Sequence, residues 1–235
     1  MLLLSFETSA KAASAALHDG ARLLGESCQN TGLTHSQTLL VMAQDLLKTC
    51  GFAPADVTHV AVAAGPGSFT GVRIGVAAAK GFAWGSALPC YGVSTLEAMA
   101  RGLGVFRGYI CACMDARRSQ VYNALFYVNH GEVTRVCGDR AISLQELGGE
   151  LKNLEEPIFL VGDGSILCYN TLSESVSALV LPPEHRMHQR ASGVCLAALE
   201  QIKAGLPGDA NALAPNYLRL SQAERERLAR EQKKD

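Results

Sequence analysis

The sequence predicts an α/β protein assembled from two copies of one unit, and three observations carry that expectation. Apolar runs with strand character and amphipathic runs with helical spacing follow the order three strands, helix, strand, helix, strand, and this order recurs after residue 108. Each copy opens on five apolar or small residues closed by an acid, Glu7 in the first and Asp115 in the second. Between the fourth strand and second helix of the first copy stands a glycine-rich turn, Gly65-Pro66-Gly67-Ser68-Phe69-Thr70-Gly71-Val72-Arg73-Ile74-Gly75. A strand-mixed sheet covered by helices is the layer arrangement that buries such a pattern.

Strands are expected at Leu2 to Phe6, Ala12 to His18 and Leu23 to Cys28, separated by turn signals such as Asp19-Gly20 into an antiparallel meander. Thr34 is placed to cap the next helix, with Gln37 at the N3 position of a capping box. Leu39, Leu40, Ala43, Leu46, Leu47 and Cys50 recur at helical spacing before Gly51 ends it. A strand at Val57 to Ala64 leads into the glycine turn and its helix, Val72 to Trp84, and then to a strand at Cys90 to Val93. The second copy repeats the order with strands at Tyr109 to Met114, Val121 to Val128 and Val133 to Cys137 and a helix at Leu144 to Leu154. A strand at Ile158 to Val161, a helix at Ile166 to Leu172 and a strand at Ala178 to Leu181 complete it. The amphipathic run Val194 to Ile202 supplies a closing helix, and the almost wholly charged or polar tail from Ser221 reads as a solvated helix or disordered chain. The expected organisation is an N-terminal unit over 1–104 whose closing helix returns from 191–219, a smaller unit over 105–190, and a charged tail over 220–235.

At 235 residues, 48% hydrophobic and 18% charged, the chain has the composition of a globular protein with a full core. A net charge of −1 and a pI near 6.6 give no bulk drive toward nucleic acid, so any RNA contact takes most of its positive charge from a partner. The opening Met1-Leu2-Leu3-Leu4-Ser5-Phe6 run lacks a basic flank and breaks at Glu7, and no apolar stretch approaches the ~20 residues that span a bilayer. A cytoplasmic protein with no membrane contact is expected. The eight cysteines include no Cys-x-x-Cys pair and stand mostly in apolar runs, which predicts buried reduced thiols; Cys111 and Cys113 share a strand face without a second pair to complete a zinc site.

A glycine turn between a strand and a helix is where anions are commonly held, because glycine permits close backbone approach and the first helical N–H groups lack internal partners. Here no Lys-Ser or Lys-Thr follows the last glycine, and Thr70 stands where a dinucleotide fingerprint needs glycine, so both common nucleotide motifs are excluded. Ser68 lies outside a Gly-x-Ser-x-Gly elbow, which leaves a serine peptidase without support.

The eleven-residue string resembles the signature of the TsaB (YeaZ) family, the bacterial partners of the tRNA threonylcarbamoyladenosine transferase TsaD. The resemblance continues through Glu7-Thr8-Ser9, Leu88-Pro89 to Val93-Ser94-Thr95-Leu96, Met114-Asp115-Ala116-Arg117 to Val121-Tyr122, and Pro215-Asn216-Tyr217-Leu218-Arg219. It is weak from about 129 to 190 and over the last fifteen residues. It implies duplicated ribonuclease-H-like units, the plan of the actin, sugar-kinase and heat-shock-chaperone ATPases. It also implies a non-catalytic subunit without a cofactor that holds TsaD with the small ATPase TsaE, pairs with itself when alone, and reaches tRNA mainly through the complex. The family's complex transfers a threonylcarbamoyl group to N6 of the adenosine beside the anticodon.

Candidate nucleotide-binding residues are Glu7, Thr8, Gly65, Gly67, Ser68, Thr70, Gly71 and Asp115, since carboxylates and helix N-termini suit magnesium and phosphates. They would serve the rival function, an autonomous nucleotide-hydrolysing or phosphotransfer enzyme of the actin-like superfamily. The alternative is that Glu7 caps a turn and Asp115 orders the Asp115-Ala116-Arg117-Arg118 hairpin. In TsaD the strand after the glycine-turn helix leads into a metal-binding His-x-x-x-His pair; the positions that match it here carry Thr95 and Met99, so no catalytic residue and no metal site is expected. His35 has Leu39 rather than a second histidine one turn on, and His185, Arg186, His188 and Arg190 form a small basic patch. The expected partner interface comprises His35, Leu39, Val41, Met42, Gly71, Gly75, Ala78 and Ala79, because Leu39 to Ala43 is wider than a core stripe needs and glycine within a helix calls for a packing reason. On that reading, Val41→Glu or Gly75→Leu blocks pairing without unfolding the chain.

Overall fold

Strands buried on both faces cannot show the alternation of a half-exposed sheet, and the apolar run at the start of this chain is read accordingly. In the computed structural model, which describes residues 1–105 and 107–219, every residue of β1 (Leu3–Glu7) and β2 (Ala13–His18) is buried. The first half continues with β3 (Leu23–Gln29), α1 (His35–Thr49), β4 (His59–Gly65), α2 (Phe69–Trp84), β5 (Cys90–Ser94) and α3 (Thr95–Leu103). The second half holds β6 (Gly108–Asp115), β7 (Gln120–Asn129), β8 (Glu132–Arg135), β9 (Arg140–Ser143), α4 (Leu144–Leu151) and β10 (Ile158–Val161). It ends with α5 (Ser165–Leu172), β11 (Leu179–Val180), α6 (Glu184–Met187) and α7 (Ala191–Lys203). The tail expected from residue 220 lies outside the described residues.

The two sheets have one plan. Their orders are β3-β2-β1-β4-β5 and β8-β7-β6-β10-β11, with β9 also pairing β7. In each, three antiparallel strands are followed by two that run parallel to the first. This is the duplicated ribonuclease-H-like unit of the actin-like ATPase fold.

Four apolar clusters show how the layers are stacked. Leu39, Leu46 and Leu47 of α1 and Val72, Val76 and Ala79 of α2 cover one face of the first sheet, and Val194, Cys195 and Ala198 of α7 cover the other. In the second sheet, Leu96, Met99 and Leu103 of α3 pack on one face, and Leu147 of α4 and Cys168 of α5 pack on the other. The closing helices α3 and α7 therefore lie together between the sheets. Glycines permit the crossing: a Cβ on Gly193 would strike the Ala98 carbonyl, and one on Gly102 would stand 3.3 Å from the Gly193 Cα. Buried serines fix the start of α7, with Ser5 Oγ donating to Ala191 O at 2.7 Å and Ala191 N donating to Ser14 Oγ at 2.9 Å.

Four local expectations need correction. The helix α3 is an addition to the expected elements; Ser94 Oγ caps it by accepting from Glu97 N at 3.2 Å, Glu97 pairs with Arg101 one turn on, and Gly104 ends it at φ +70°. The four-residue elements β9 and α6 are also additions. Helix α2 begins three residues earlier than expected, at Phe69, because Ser68 Oγ accepts from Gly71 N. Thr34 precedes α1 as expected, yet its hydroxyl donates to Gln37 Oε1 at 2.8 Å instead of accepting a backbone N–H, so the capping box does not form.

Candidate functional site

The ends of β1, β4, β6 and β10 meet at a cleft between the halves, and both copies build their side of it alike. Glu7 Oε1 accepts the N–H of Ser9, two residues on, and Asp115 Oδ1 accepts that of Arg117, also two residues on, at 2.7 Å. After β4 the chain reads Gly65-Pro66-Gly67-Ser68; after β10 it reads Gly162-Asp163-Gly164-Ser165. Gly65 and Gly162 both need positive φ, +115° and +111°. The cavity between these turns measures about 470 Å³ and is lined by Ser9, Lys11, Phe69, Asp115, Arg117, Tyr122, Asp163, Tyr217 and Arg219. Arg117, Arg118 and Ser119 hold left-handed φ of +66°, +57° and +57°, and this turn carries Arg117 to the rim, where it pairs with Asp115 at 3.3 Å.

Behind the cavity wall lies a sealed acidic group. Glu7 is 1% exposed and its Oε2 has no hydrogen-bond partner among the described residues. Burial pushes its carboxyl up to about 7, against the opposing pull of its hydrogen bonds to Ser9, and the charge of Asp163 adds to the rise. Burial also raises Asp163, with the charge of Asp115 adding to the rise.

The glycine turn is filled by the chain's own backbone. A Cβ on Gly65 would strike the Asn216 carbonyl, one on Gly67 the Ser9 carbonyl, and one on Gly71 the Thr8 carbonyl. Thr8 Oγ1 donates to Gly71 O at 2.7 Å, and Ser68 N donates to Ser9 O at 2.7 Å. Of the candidate residues, Gly67, Ser68 and Asp115 line the cleft, while Glu7, Thr8, Gly65, Thr70 and Gly71 do not, and Gly65, Gly67 and Gly71 look onto carbonyl oxygens. Thr95 and Met99 are both buried, in the first two turns of α3, and among the described residues no group of three or more His, Cys, Asp or Glu is placed to hold a metal ion.

Comparison with known proteins decides the family. Over 225 residues, 95% of this chain and 96% of the relative, the sequence is 32% identical to the tRNA threonylcarbamoyladenosine biosynthesis protein TsaB of Bacillus subtilis (strain 168). This chain belongs to the TsaB family. The family model described as TsaD, tRNA N6-adenosine threonylcarbamoyltransferase, matches residues 29–227. The TsaB of Escherichia coli (strain K12) is 38% identical over 162 residues, 64% of this chain and 69% of the relative. Among solved structures, YeaZ from Pseudomonas aeruginosa superposes with a TM-score of 0.74 at 25% identity, covering 92% of this chain and 99% of that one. The ethanolamine utilization protein EutJ of Carboxydothermus hydrogenoformans shares the fold, with a TM-score of 0.52 at 12% identity over 84% of this chain and 90% of that one.

For this TsaB-family chain the structure divides the expected interface residues. Leu39 and Ala79 are buried in the first core, and Met42 is buried as well. Gly71 and Gly75 face Thr8, and a Cβ on Gly75 would strike Thr8 Oγ1 and lie 3.2 Å from Val62 Cγ2. Their packing reason is internal, so Gly75→Leu cannot test pairing. What remains outward is Val41 at 56% exposure with Leu40 beside it at 52%, half-buried Ala78, and Ile74 and Ala77 along α2. His35 is half-buried with Nε2 2.8 Å from Ala10 O. Two residues of the basic patch face acids: His188 Nε2 lies 3.2 Å from Glu184 Oε1, and Arg190 contacts Glu26 of β3 at 3.6 Å. Sequence reading passes over Asp163, although Gly162-Asp163-Gly164-Ser165 repeats the Gly-x-Gly-Ser spacing of the first turn, and it gives Phe69 and Tyr217 no role. Their rings stack at 4.3 Å with Arg73 3.9 Å over Phe69.

Proposed function

We propose that this chain is a non-catalytic subunit of the assembly that forms threonylcarbamoyladenosine beside the tRNA anticodon, where it pairs with TsaD and acts together with TsaD and TsaE. The observation that carries the reading is the identity of the side chains at Thr95 and Met99. They stand where TsaD has its metal-binding histidines, they are packed into the core, and neither offers an imidazole. The names of the relatives support the pathway, and the match to the TsaD family model supports a partner of kindred fold. Leu40 and Val41 on α1, with the small residues Ala77 and Ala78 on α2, offer an apolar, close-approach face for a helical bundle with TsaD or, in its absence, with a second copy of the chain. The near-neutral charge assigns most tRNA contact to the partner, and the compartment is the cytoplasm. Mixing the chain with TsaD and reading mass by light scattering tests the pairing: a one-to-one complex lost in Val41→Glu supports it, and unchanged pairing in that variant removes this face from consideration.

The second reading, an autonomous nucleotide-hydrolysing or phosphotransfer enzyme, draws on the acids Glu7, Asp115 and Asp163 around the cleft. Against it stand the sealed carboxylate of Glu7 and the carbonyl oxygens that fill the glycine turn. ATP turnover by the purified chain alone would favour it.

A further inference from the structure

We infer that the glycine turn after β4 is a receptor for the chain's own C-terminal segment, and that residues 207–219 are a latch tying α2 to the second half across the cleft. The segment leaves α7 and lies along one stripe of α2. Trp84 Nε1 donates to Asn211 Oδ1 at 3.1 Å, Lys80 Nζ donates to Leu213 O at 3.1 Å, and Arg73 Nε donates to Tyr217 OH at 2.8 Å. Phe69 stacks on the Tyr217 ring. Residues 69, 73, 80 and 84 are spaced four, seven and four apart, the repeat of a single helix face.

At the turn the latch enters the backbone itself. Asn216 N donates to Ala64 O at 2.6 Å, and the Asn216 carbonyl fills the space that glycine leaves at position 65. With Ser9 and Thr8 carbonyls against Gly67 and Gly71, three glycines of the signature each admit a carbonyl oxygen. The glycines of the turn therefore serve chain-on-chain contact. Beyond the turn, Arg219 Nη1 donates to Ala116 O at 2.5 Å, in the left-handed hairpin between β6 and β7. One segment thereby reaches the helix with the outward apolar face, the glycine turn and the opposite wall of the cleft.

Hydrogen exchange on the chain without TsaD, with parent and variants compared in the same oligomeric state by light scattering, separates the latch from the pairing proposed above. Tyr217→Ala removes the stack and the Arg73 bond. Exchange should accelerate about tenfold or more at the turn amides of Ser68 and Val72 and at Ala116 and Gln120 across the cleft, with a cooperative melt retained, as release of a local unit requires. Tyr217→Phe keeps the stack and should change the turn by less than Tyr217→Ala. Arg219→Ala should accelerate Ala116 and Gln120 while sparing the turn. Acceleration confined to residues 207–219 in both alanine variants would overturn the latch. Should Tyr217→Ala fail to fold, Arg219→Ala decides, and unchanged exchange at Ala116 and Gln120 in that variant rejects the proposal.

Discussion

Replacing Glu7 by glutamine should flatten the pH dependence of stability. In the unfolded chain this carboxyl releases its proton near 4.5; in the folded chain, burial holds the value at about 7. Between those values the folded state binds more protons than the unfolded one, so stability falls as pH rises, and the whole penalty is present above 7. At 1.36 kcal/mol for each tenfold step in proton affinity, the penalty is about 3 kcal/mol, a large share of the roughly 5–15 kcal/mol that holds a domain folded. The glutamine side chain of the Glu7→Gln variant carries no charge at any of these pH values, and its amide adds a donor where Glu7 Oε2 has no partner among the described residues. Urea denaturation of both proteins at pH 5 and pH 8 reads the effect, because the other titrating groups cancel in the difference. Because pH 5 already lies above the unfolded value, a small part of the penalty is present there, and the variant should gain on the parent by about 2–3 kcal/mol between the two pH values, about 1 M in urea midpoint. Parallel curves would show that Glu7 ionises normally and that the sealed carboxylate is misconceived.

Val41→Glu places a charge on a side chain already 56% exposed; melting should move little, within about 0.5 kcal/mol, while pairing measured by light scattering is lost. Gly75→Leu should lower the urea midpoint by the equivalent of about 3 kcal/mol or more, since any Cβ there meets Thr8 and Val62; a wild-type melt would show that α2 can shift away from β1. Arg135 bridges Glu97 of α3 at 2.9 Å and Asp139 at 2.6 Å. Arg135→Met should cost about 1–2 kcal/mol at pH 7, given partial exposure. Burial alone would raise Glu97, but its bonds to Arg135 and Arg101 outweigh it and hold the carboxyl low. The pair's contribution is therefore present above the ordinary glutamate value and lost as pH falls through the folded one, so parent and variant should converge in acid denaturation.

The strand plan was legible because apolar runs bounded by acids, glycines and turns mark strands whatever their neighbours. Glu7 and Asp115 at matching strand ends disclosed the duplication before any topology was known. What escaped depends on contacts between distant segments. The run Thr95–Leu103 is the exception: Leu96, Met99, Ala100 and Leu103 recur at helical spacing behind a Ser94-x-x-Glu97 cap signature, so this helix is written in the sequence although the expected elements omit it. Gly71 and Gly75 announced that something approaches closely, but not that it is Thr8 of β1's exit rather than a partner. Val41 and Met42 were indistinguishable as sequence neighbours, yet one helical step of about 100° sends Met42 inward and Val41 out. Glu7, Asp115 and the glycine turn are singled out by motif and position alone, whereas Asp163, Tyr217 and Arg219 come to the same cleft only through the fold.

Threonylcarbamoyl transfer to unmodified tRNA, with this chain, TsaD and TsaE supplied singly and together, is the most direct test of the non-catalytic role. Product that requires TsaD and rises when this chain is added is the expected result. Modified tRNA or sustained ATP turnover from this chain alone would contradict it and place catalytic chemistry in the cleft around Glu7, Asp115 and Asp163.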